Sequence, residues 1–364
     1  MINRLFAYLG KHLDRQLLVL VSALFAIGLM TLYSASNASI ERVGAQTANL
    51  LVALTMMWIA ANVPLHYLSR LAFPVYLTGM VLLILVALFG EVVNGARRWL
   101  DLGLFRFQPS ELMKIAVPLV LAWYFDRYEA VLKVKNFVIG GLLFLIPVLL
   151  VARQPDLGTA LLITASGFYV LYLAGLSWKF LVGVFLIGSA SMPFLWSMLH
   201  DYQRRRVLTL LDPTQDPLGA GYHTIQSTIA LGSGGLFGKG WLNGTQSHLD
   251  FLPERQTDFI FAVFAEEFGL FGNLGLMILF GLLIARGLVI AANAPTLFTR
   301  LLAGALTLIL FTYVFVNMGM VSGILPIVGV PLPLISYGGT SLVTILFSVG
   351  LLMSIHTHRR LVKT

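Results

Sequence analysis

Apolar runs of about 20 residues recur along nearly the whole chain, and shorter polar connections separate them. A helix of about 20 residues crosses the roughly 30 Å hydrocarbon core of a bilayer, where every backbone polar group must be bonded within the segment. The pattern predicts an all-α polytopic membrane protein with about ten transmembrane helices, forming a single domain over residues 1–364. The predicted spans are 17–35, 47–64, 71–90, 109–125, 136–152, 157–175, 179–198, 260–285, 300–321 and 339–356.

The first apolar run has two interpretations. A secretory signal peptide also combines basic residues with an apolar run, and the side chains of residues 34–36 are small enough for a signal-peptide cleavage site. The run from Leu17 to Tyr33 is longer than the roughly 7–15 apolar residues of a signal peptide. We therefore interpret it as a first span that is retained.

Two stretches interrupt the alternation of apolar and polar segments. The first, residues 199–259, is the only long polar stretch, and we predict that it forms an extracytoplasmic loop between spans 7 and 8. The second, residues 326–339, is rich in proline and glycine but mostly apolar. Irregular backbone at membrane depth is tolerated where it is buried in protein or lines a cavity. This second stretch is therefore predicted to be a re-entrant or cavity-lining loop.

The composition excludes several classes of protein. Hydrophobic residues make up 58% of the chain, charged residues 11%, and the mean hydropathy is +0.87. An ordinary soluble domain has roughly 25% charged residues, so neither a soluble globule nor a disordered chain fits. The chain contains no cysteine, which excludes disulfides and thiolate metal sites. The net charge of +8 suits anionic lipid headgroups better than nucleic acid, because no basic stripe with interleaved aromatic residues is present.

The distribution of Lys and Arg predicts the orientation. If both termini are cytoplasmic, the inner segments carry 13 of these residues and the short outer loops carry 5. Short loops dominate orientation, so we expect cytoplasmic termini and an outward-facing loop 199–259. Arg97, Arg98 and Arg106 then share one outer loop against this bias, which makes them candidates for a functional role.

Charged residues near the predicted outer face are candidates for chemistry, because ionisable groups at membrane depth are costly. Glu111 and Lys114 lie three positions apart, one turn into a predicted span. They either neutralise each other as an ion pair or present Lys114 to an anionic headgroup. Asp156 lies at a span boundary, where it either caps the next helix or faces the same site.

Basic residues in the long loop are candidates for phosphate binding. Arg205 and Arg206 belong to an arginine triplet, which is either a solvated surface or a bidentate phosphate ligand. Lys239 lies in the glycine-rich run 232–240. This run is not a P-loop, because the glycine and lysine are followed by glycine rather than Ser or Thr. It is either a flexible loop or a place where the backbone approaches a ligand closely.

Asp258 lies between the polar loop and the apolar eighth span. It is either the N-cap of that helix or a general base at the wet mouth of a lipid-facing cleft. Burial would raise its pKa, whereas the helix N-terminus and nearby arginines such as Arg255 would lower it. For Glu266 and Glu267, deeper in the span, we expect structural ion pairs within the bundle. A hard divalent cation could bind carboxylates, but no ligand spacing identifies a site.

Six motifs in order across nearly the whole chain resemble those of the SEDS family of bacterial envelope proteins (shape, elongation, division and sporulation). The matching segments are Gly95–Leu100, Phe107–Lys114, Gln154–Ala160, Gln226–Gly235, Phe251–Phe261 and Leu334–Ser341. The short N-terminal segment and Pro253–Arg255 are more similar to the elongation members than to the division members. Gln256 departs from the histidine typical of that position.

The resemblance implies a glycosyltransferase of the bacterial cytoplasmic (inner) membrane that polymerises peptidoglycan glycan strands from lipid II during cell elongation. It implies inverting transfer that forms β-1,4 linkages, with Asp258 as the family's essential aspartate and general base. The residues expected to bind the substrate are Arg97, Arg98, Arg106, Glu111, Lys114, Asp156, Arg205, Arg206, Lys239 and Arg255. A class B penicillin-binding transpeptidase is the implied partner, and a divalent cation (Mg²⁺ or Mn²⁺) is a candidate cofactor.

Two alternatives belong to other functional classes. A flippase of the lipid-linked precursor would place polar groups near the midplane, on broken helices of paired repeats. Here the charges gather at one face and no internal repeat is evident, which favours an enzyme. A non-catalytic scaffold for envelope assembly would have no use for Asp258.

Overall fold

Helices form most of the regular structure in the computed structural model, which describes residues 12–93, 96–101, 103, 106–128, 133–154, 156–198, 204, 208, 212–213, 220–248 and 254–358. The helices are α1 (Arg15–Ala35), α2 (Ile40–Asn62), α3 (Leu65–Phe89), α4 (Pro109–Arg127), α5 (Val134–Ala152), α6 (Leu157–Leu173), α7 (Trp178–Ala190), α8 (Met192–Met198), α9 (Ala220–Ser233), α10 (Thr245–His248), α11 (Ile260–Ala292), α12 (Leu297–Val321) and α13 (Thr340–His358). Three short strands, β1 (Glu91–Val93), β2 (Ala96–Asp101) and β3 (Arg106–Phe107), form an antiparallel sheet between α3 and α4.

Every predicted span overlaps helical structure, and the chain is a multi-pass membrane protein. Among the described residues, seven helices are long and apolar enough to cross a bilayer: α1, α2, α3, α5, α11, α12 and α13. Most of residues 199–219 of the predicted loop 199–259 lie outside the described residues, and α9 shows that the rest of the loop contains a helix of 14 residues. The total of ten spans stays a prediction, because α4 is too charged, α6 has 17 residues and α7 has 13.

Two helices form the centre of the bundle. All residues of α4 from Met113 to Ala122 are buried, and so are about three quarters of the residues in the most apolar part of α12. A helix that is apolar on all sides belongs inside a protein or in lipid, and here α4 and α12 contact each other inside the protein. Polar side chains on these two helices therefore face protein or a cavity rather than lipid.

The glycine-rich run 232–240 packs into a break in α11. Gly269 interrupts the helix with φ 63° and ψ −161°, a conformation that is nearly restricted to glycine. The amides of Lys239 and Gly240 donate to the carbonyls of Glu266 and Glu267 at 3.0 Å each. Leu270 N–H returns a bond to the Gly235 carbonyl at 2.9 Å. The run is therefore a fixed part of the break rather than a flexible loop, because its backbone replaces hydrogen bonds that the broken helix has lost. A close approach of this backbone to a ligand stays a prediction.

Several connections meet at one end of the bundle. Gln46, near the start of α2, binds the segment 326–339 at two points. Its side-chain NH₂ donates to the Ser336 carbonyl at 3.2 Å, and its side-chain oxygen accepts from Gly338 N–H at 3.1 Å. The Gly28 Cα in α1 also lies against this segment, because a Cβ there would be 2.6 Å from the Leu334 carbonyl oxygen. The small sheet precedes α4 at the same end, so this end carries both the sheet and the irregular segment 326–339.

Candidate active site

A cavity of about 250 Å³ lies at this end of the bundle. Its wall comes from β2, the first turns of α4 and α6, the turn before α11, and the segment 329–342. The polar residues that line it are Arg98, Gln108, Glu111, Lys114, Asp156, Thr159, Thr257, Asp258, Ser336, Tyr337, Thr340 and Ser341. The predicted cavity-lining role of the segment 326–339 is therefore confirmed.

Asp258 lies in the turn 254–259 that leads into α11 and faces the cavity. The N-cap of α11 is Phe259, and it makes no side-chain cap bond, so the interpretation of Asp258 as a helix cap is wrong. Within the described part of the chain, no donor bonds the carboxyl group. Burial, with a smaller contribution from the nearby Glu254 carboxylate, raises the pKa of Asp258 to about 6. This carboxyl is therefore poised to exchange a proton near neutral pH.

Glu111 and Lys114 form the predicted ion pair and also line the cavity. The ammonium of Lys114 donates to Glu111 Oε1 and to the Tyr313 hydroxyl, each at 2.6 Å. Both charged residues are buried, and Tyr313 on α12 is 2% exposed. The pattern of charges could not identify Tyr313, because a single tyrosine in an apolar run is common in membrane helices.

Asp156 combines the two roles that its position suggests. Its Oδ1 accepts from Thr159 N–H at 3.1 Å and so caps α6, while Oδ2 accepts from the Gln108 side-chain amide at 3.0 Å. Both side chains line the cavity. Asp156 thus joins the starts of α4 and α6 across the cavity wall, and Gln108 is a site residue that sequence reasoning missed.

The structure separates the three arginines of the outer loop. Arg98 lines the cavity, and its Nε donates to the Gln154 carbonyl at 3.3 Å. Arg97 and Arg106 are exposed, do not line the cavity, and Arg106 lies 3.5 Å from Glu91. Their substrate-binding roles stay predictions.

Lys239 is not among the described residues that line the cavity. Lys239 donates to Glu266 and to the Thr245 hydroxyl, at 2.7 Å each, so the expected ion pair of Glu266 is confirmed. The donors that the structure gives for Glu267 are the Ser34 hydroxyl and the backbone N–H groups of Leu242 and Gly244 rather than a cation, so its expected ion pair is not found among the described residues.

Three further basic candidates stay predictions. Arg255 is half-buried in the turn beside Asp258. Arg205 and Arg206 lie outside the described residues.

The cavity brings together one available carboxyl group and two kinds of cation. Asp258 can accept a proton, while Lys114 and Arg98 can face an anion. Over the ranges that the structure describes, no group of three or more His, Asp or Glu side chains could hold a metal ion. A divalent cation here would therefore need oxygen ligands from a bound substrate, as Mg²⁺ commonly takes from phosphates.

Comparisons with known proteins find relatives along nearly the whole chain. A family model for FtsW, RodA and SpoVE, described as cell cycle protein, matches residues 15–361. The peptidoglycan glycosyltransferase MrdB of Escherichia coli K12 is 53% identical over 351 residues, covering 96% of this chain and 95% of that protein. A probable peptidoglycan glycosyltransferase FtsW of Geobacter metallireducens is 35% identical over 366 residues, covering 96% of each.

Solved structures with the same fold are also similar in sequence. The rod shape determining protein RodA of Thermus thermophilus superimposes with a TM-score of 0.72 at 33% identity, covering 96% of this chain and 98% of that one. A chain from a peptidoglycan synthase complex, described as coordinating polymerization and crosslinking, superimposes with a TM-score of 0.83 at 35% identity. That match covers 95% of this chain and 98% of the other.

Proposed function

This chain belongs to the family of FtsW, RodA and SpoVE, and we propose that it is a peptidoglycan glycosyltransferase whose active site is the cavity around Asp258. Its relatives in E. coli and G. metallireducens carry this activity in their names. The observation that carries the assignment of the site is the carboxyl of Asp258. It faces the cavity, has no bonding donor among the described residues, and has a pKa raised to about 6.

The proposed substrate is lipid II, a disaccharide on a polyprenyl pyrophosphate, whose anionic pyrophosphate suits the cations that line the cavity. A 4-hydroxyl of the acceptor sugar attacks the anomeric carbon of the donor, and the bond from that carbon to the pyrophosphate oxygen breaks. Asp258 takes the hydroxyl proton as the new carbon–oxygen bond forms. A single displacement with no covalent intermediate inverts the anomeric centre, which gives a β-1,4 linkage from an α-linked donor.

Cationic side chains in the same cavity suit the departing pyrophosphate. Lys114 and Arg98 both line the cavity that Asp258 faces. Positive groups fixed where charge develops lower the barrier, because they need little reorganisation during the reaction. Glu111 holds the ammonium of Lys114 in place. The other predicted substrate-binding residues are Arg97, Arg106, Arg205, Arg206, Lys239 and Arg255.

A divalent cation bound together with the substrate is a further part of the proposal. Mg²⁺ usually binds one or two carboxylates together with phosphate oxygens, and Asp156 is a second carboxylate in the cavity wall. We expect polymerisation to stop with EDTA and to recover with excess Mg²⁺ or Mn²⁺. Full activity in EDTA would remove the cation from the account.

The reaction places the protein in the bacterial cytoplasmic membrane, with both termini in the cytoplasm and the cavity facing outward. The excess of Lys and Arg in the predicted inner segments supports this orientation. A transpeptidase of the class B penicillin-binding type would crosslink the strands that this protein makes. A similar solved chain belongs to a complex that couples polymerization to crosslinking, which supports such a partner.

The function is tested with the purified full chain, its transpeptidase partner and lipid II. We expect glycan polymer that a muramidase digests. The alternative flippase would instead move lipid II across vesicles that contain the protein and would make no polymer. Translocation without polymer would overturn the proposed function.

A further inference from the structure

Three consecutive carbonyl groups next to the Asp258 side chain are held by donors from the C-terminal part of the bundle. Tyr337 N–H donates to the Gln256 carbonyl at 2.9 Å, and the Ser336 hydroxyl donates to the Thr257 carbonyl at 2.7 Å. The Asn317 side-chain amide donates to the carbonyl of Asp258 itself at 2.9 Å. We call the donors Asn317, Ser336 and Tyr337 the carbonyl clamp.

The carbonyl clamp fixes the peptide planes on both sides of Asp258. Only two soft dihedral angles per residue orient the backbone, so holding these carbonyls fixes where the Cα–Cβ bond points. The carboxyl has no bonding donor of its own among the described residues. Its direction therefore depends on the backbone rather than on side-chain partners.

Asn317 bonds both the backbone of Asp258 and the segment that the Asp258 carboxyl faces. It is fully buried in α12, and its second amide hydrogen donates to the Val330 carbonyl at 2.7 Å. Gly329, the residue before Val330, has φ 73°, and a Cβ there would lie 3.3 Å from Asp258 Oδ2. The same side chain thus positions the backbone of the aspartate and the segment that its carboxyl faces.

Stability alone gives a poor reason for an amide at this position. The Oδ1 atom of Asn317 is buried and has no partner within the described part of the chain. An unpaired buried acceptor lowers stability, because it has lost its hydrogen bonds to water. The two bonds that its NH₂ group donates are the use of this side chain that the structure identifies.

We propose that Asn317 is a positioning residue that, through the backbone of residues 256–258 and 330, aims the Asp258 carboxyl at the acceptor hydroxyl. This inference rests on the proposed function. Asn317 lies behind the cavity wall and is not among the residues that line it, so it does not touch the substrate. Its contribution is therefore to the rate of the chemical step rather than to substrate binding.

The test compares Asn317→Leu with Thr307→Val. Leucine matches asparagine in size but donates no hydrogen bonds. Thr307 is a buried residue of the same helix whose hydroxyl bonds only the Ala303 carbonyl of that helix, among the bonds that the structure gives. With purified lipid II, we expect Asn317→Leu to lower kcat about 10- to 100-fold with KM within about twofold, because small misplacements of a reacting group have effects of this size. Thr307→Val should stay near wild type.

The pH profile of kcat/KM separates a positioning role from a structural one. A general loss of stability would lower the amount of active protein without changing the pKa that limits kcat/KM. Release of Asp258 from its buried position should lower the pKa that limits kcat/KM in Asn317→Leu. An unchanged pH profile and a kcat equal to that of Thr307→Val would overturn the inference. If polymerisation also persists in Asp258→Asn, the proposed function of Asp258 fails as well, so the two failures are distinguishable.

A second pair of variants decides the question if Asn317→Leu does not fold. Ser336→Ala removes the bond to the Thr257 carbonyl. Ser354→Ala removes a similar buried bond, from its hydroxyl to the Val63 carbonyl at 2.6 Å, at the opposite end of the bundle. We expect a lower kcat for Ser336→Ala alone. Equal rates in the two variants would count against the carbonyl clamp.

Discussion

At the scale of single residues, the site depends on a carboxyl group that has lost part of its contact with water without gaining a hydrogen-bond donor among the described residues. Asp258 is half-buried near Glu254 without a bonding donor in the described structure, whereas Asp156 in the same cavity accepts two hydrogen bonds. Two carboxylates in one cavity thus have different environments. Such a difference is what separates a group that exchanges protons from a group that holds structure.

The raised pKa of Asp258 predicts the acid side of the activity profile. A protonated carboxyl cannot accept the hydroxyl proton, so kcat/KM should fall about tenfold per pH unit below about pH 6 and be level above pH 7. The measurement is initial rates of polymerisation at low lipid II between pH 4.5 and 8. A profile that stays level down to pH 4.5 would contradict this environment for Asp258.

For the buried pair of Glu111 and Lys114, we predict that a second substitution restores the stability lost in a first one without restoring activity. Lys114→Met leaves a buried carboxylate without its cation, which should lower the free energy of unfolding by about 3–5 kcal/mol. The double variant with Glu111→Gln should regain thermal stability in detergent but not polymerase activity. A fully active double variant would remove Lys114 from the pyrophosphate site.

Sequence reasoning found charged site residues and missed neutral ones. Asp258, Glu111, Lys114 and Asp156 are conspicuous because a charge at membrane depth is expensive. Asn317, Ser336, Tyr313 and Gln108 are polar but uncharged, and single residues of this kind are unremarkable within apolar or loop segments. Their roles depend on contacts between distant parts of the chain, which hydropathy does not report.

At the scale of elements, the break in α11 shows how a spanning helix can be interrupted without unpaired backbone groups. The run 232–240 supplies amides and carbonyls to the residues around Gly269. Hydropathy predicts the eighth span but not this break, since both halves of the helix are apolar. It also gives no signal for β1–β3, because the sheet is short and lies in a charged connection.

The break predicts different outcomes for two glycines of the same helix. Gly269→Ala would place its Cβ 2.3 Å from the Gly238 amide nitrogen in a backbone conformation that alanine disfavours, at a cost of at least about 2 kcal/mol. Gly275 has open space around it, so Gly275→Ala should leave the melting temperature equal or slightly higher. Equal melting temperatures for Gly269→Ala and wild type would contradict the packing at the break.

At the scale of the whole molecule, successive helices run in opposite directions, so every second connection lies at the same end of the bundle. The cavity, the small sheet and the break in α11 lie toward one end. The absence of cysteine makes the orientation easy to test, because single cysteines can be introduced without removing others. Glu41 is exposed in the first turn of α2 at the cavity end, and Lys135 is exposed in the first turn of α5 at the other end.

We expect a membrane-impermeant maleimide to label Glu41→Cys in right-side-out vesicles and to label Lys135→Cys only after the vesicles are opened. The reverse pattern would place the cavity in the cytoplasm, where it could not extend strands outside the membrane. Labelling of both positions in sealed vesicles would show leakage, which a soluble cytoplasmic marker controls.

The most direct measurement of the central claim is polymer formation from lipid II by Asp258→Asn. The matched control is Asp126→Asn at the opposite end of the bundle, where the carboxylate only accepts from Phe298 N–H at 2.8 Å among the described contacts. Because a general base contributes about 10²- to 10⁴-fold, Asp258→Asn should bind lipid II but polymerise it at least about a hundredfold more slowly, with Asp126→Asn near wild type. Polymerisation by Asp258→Asn at the wild-type rate would contradict the account.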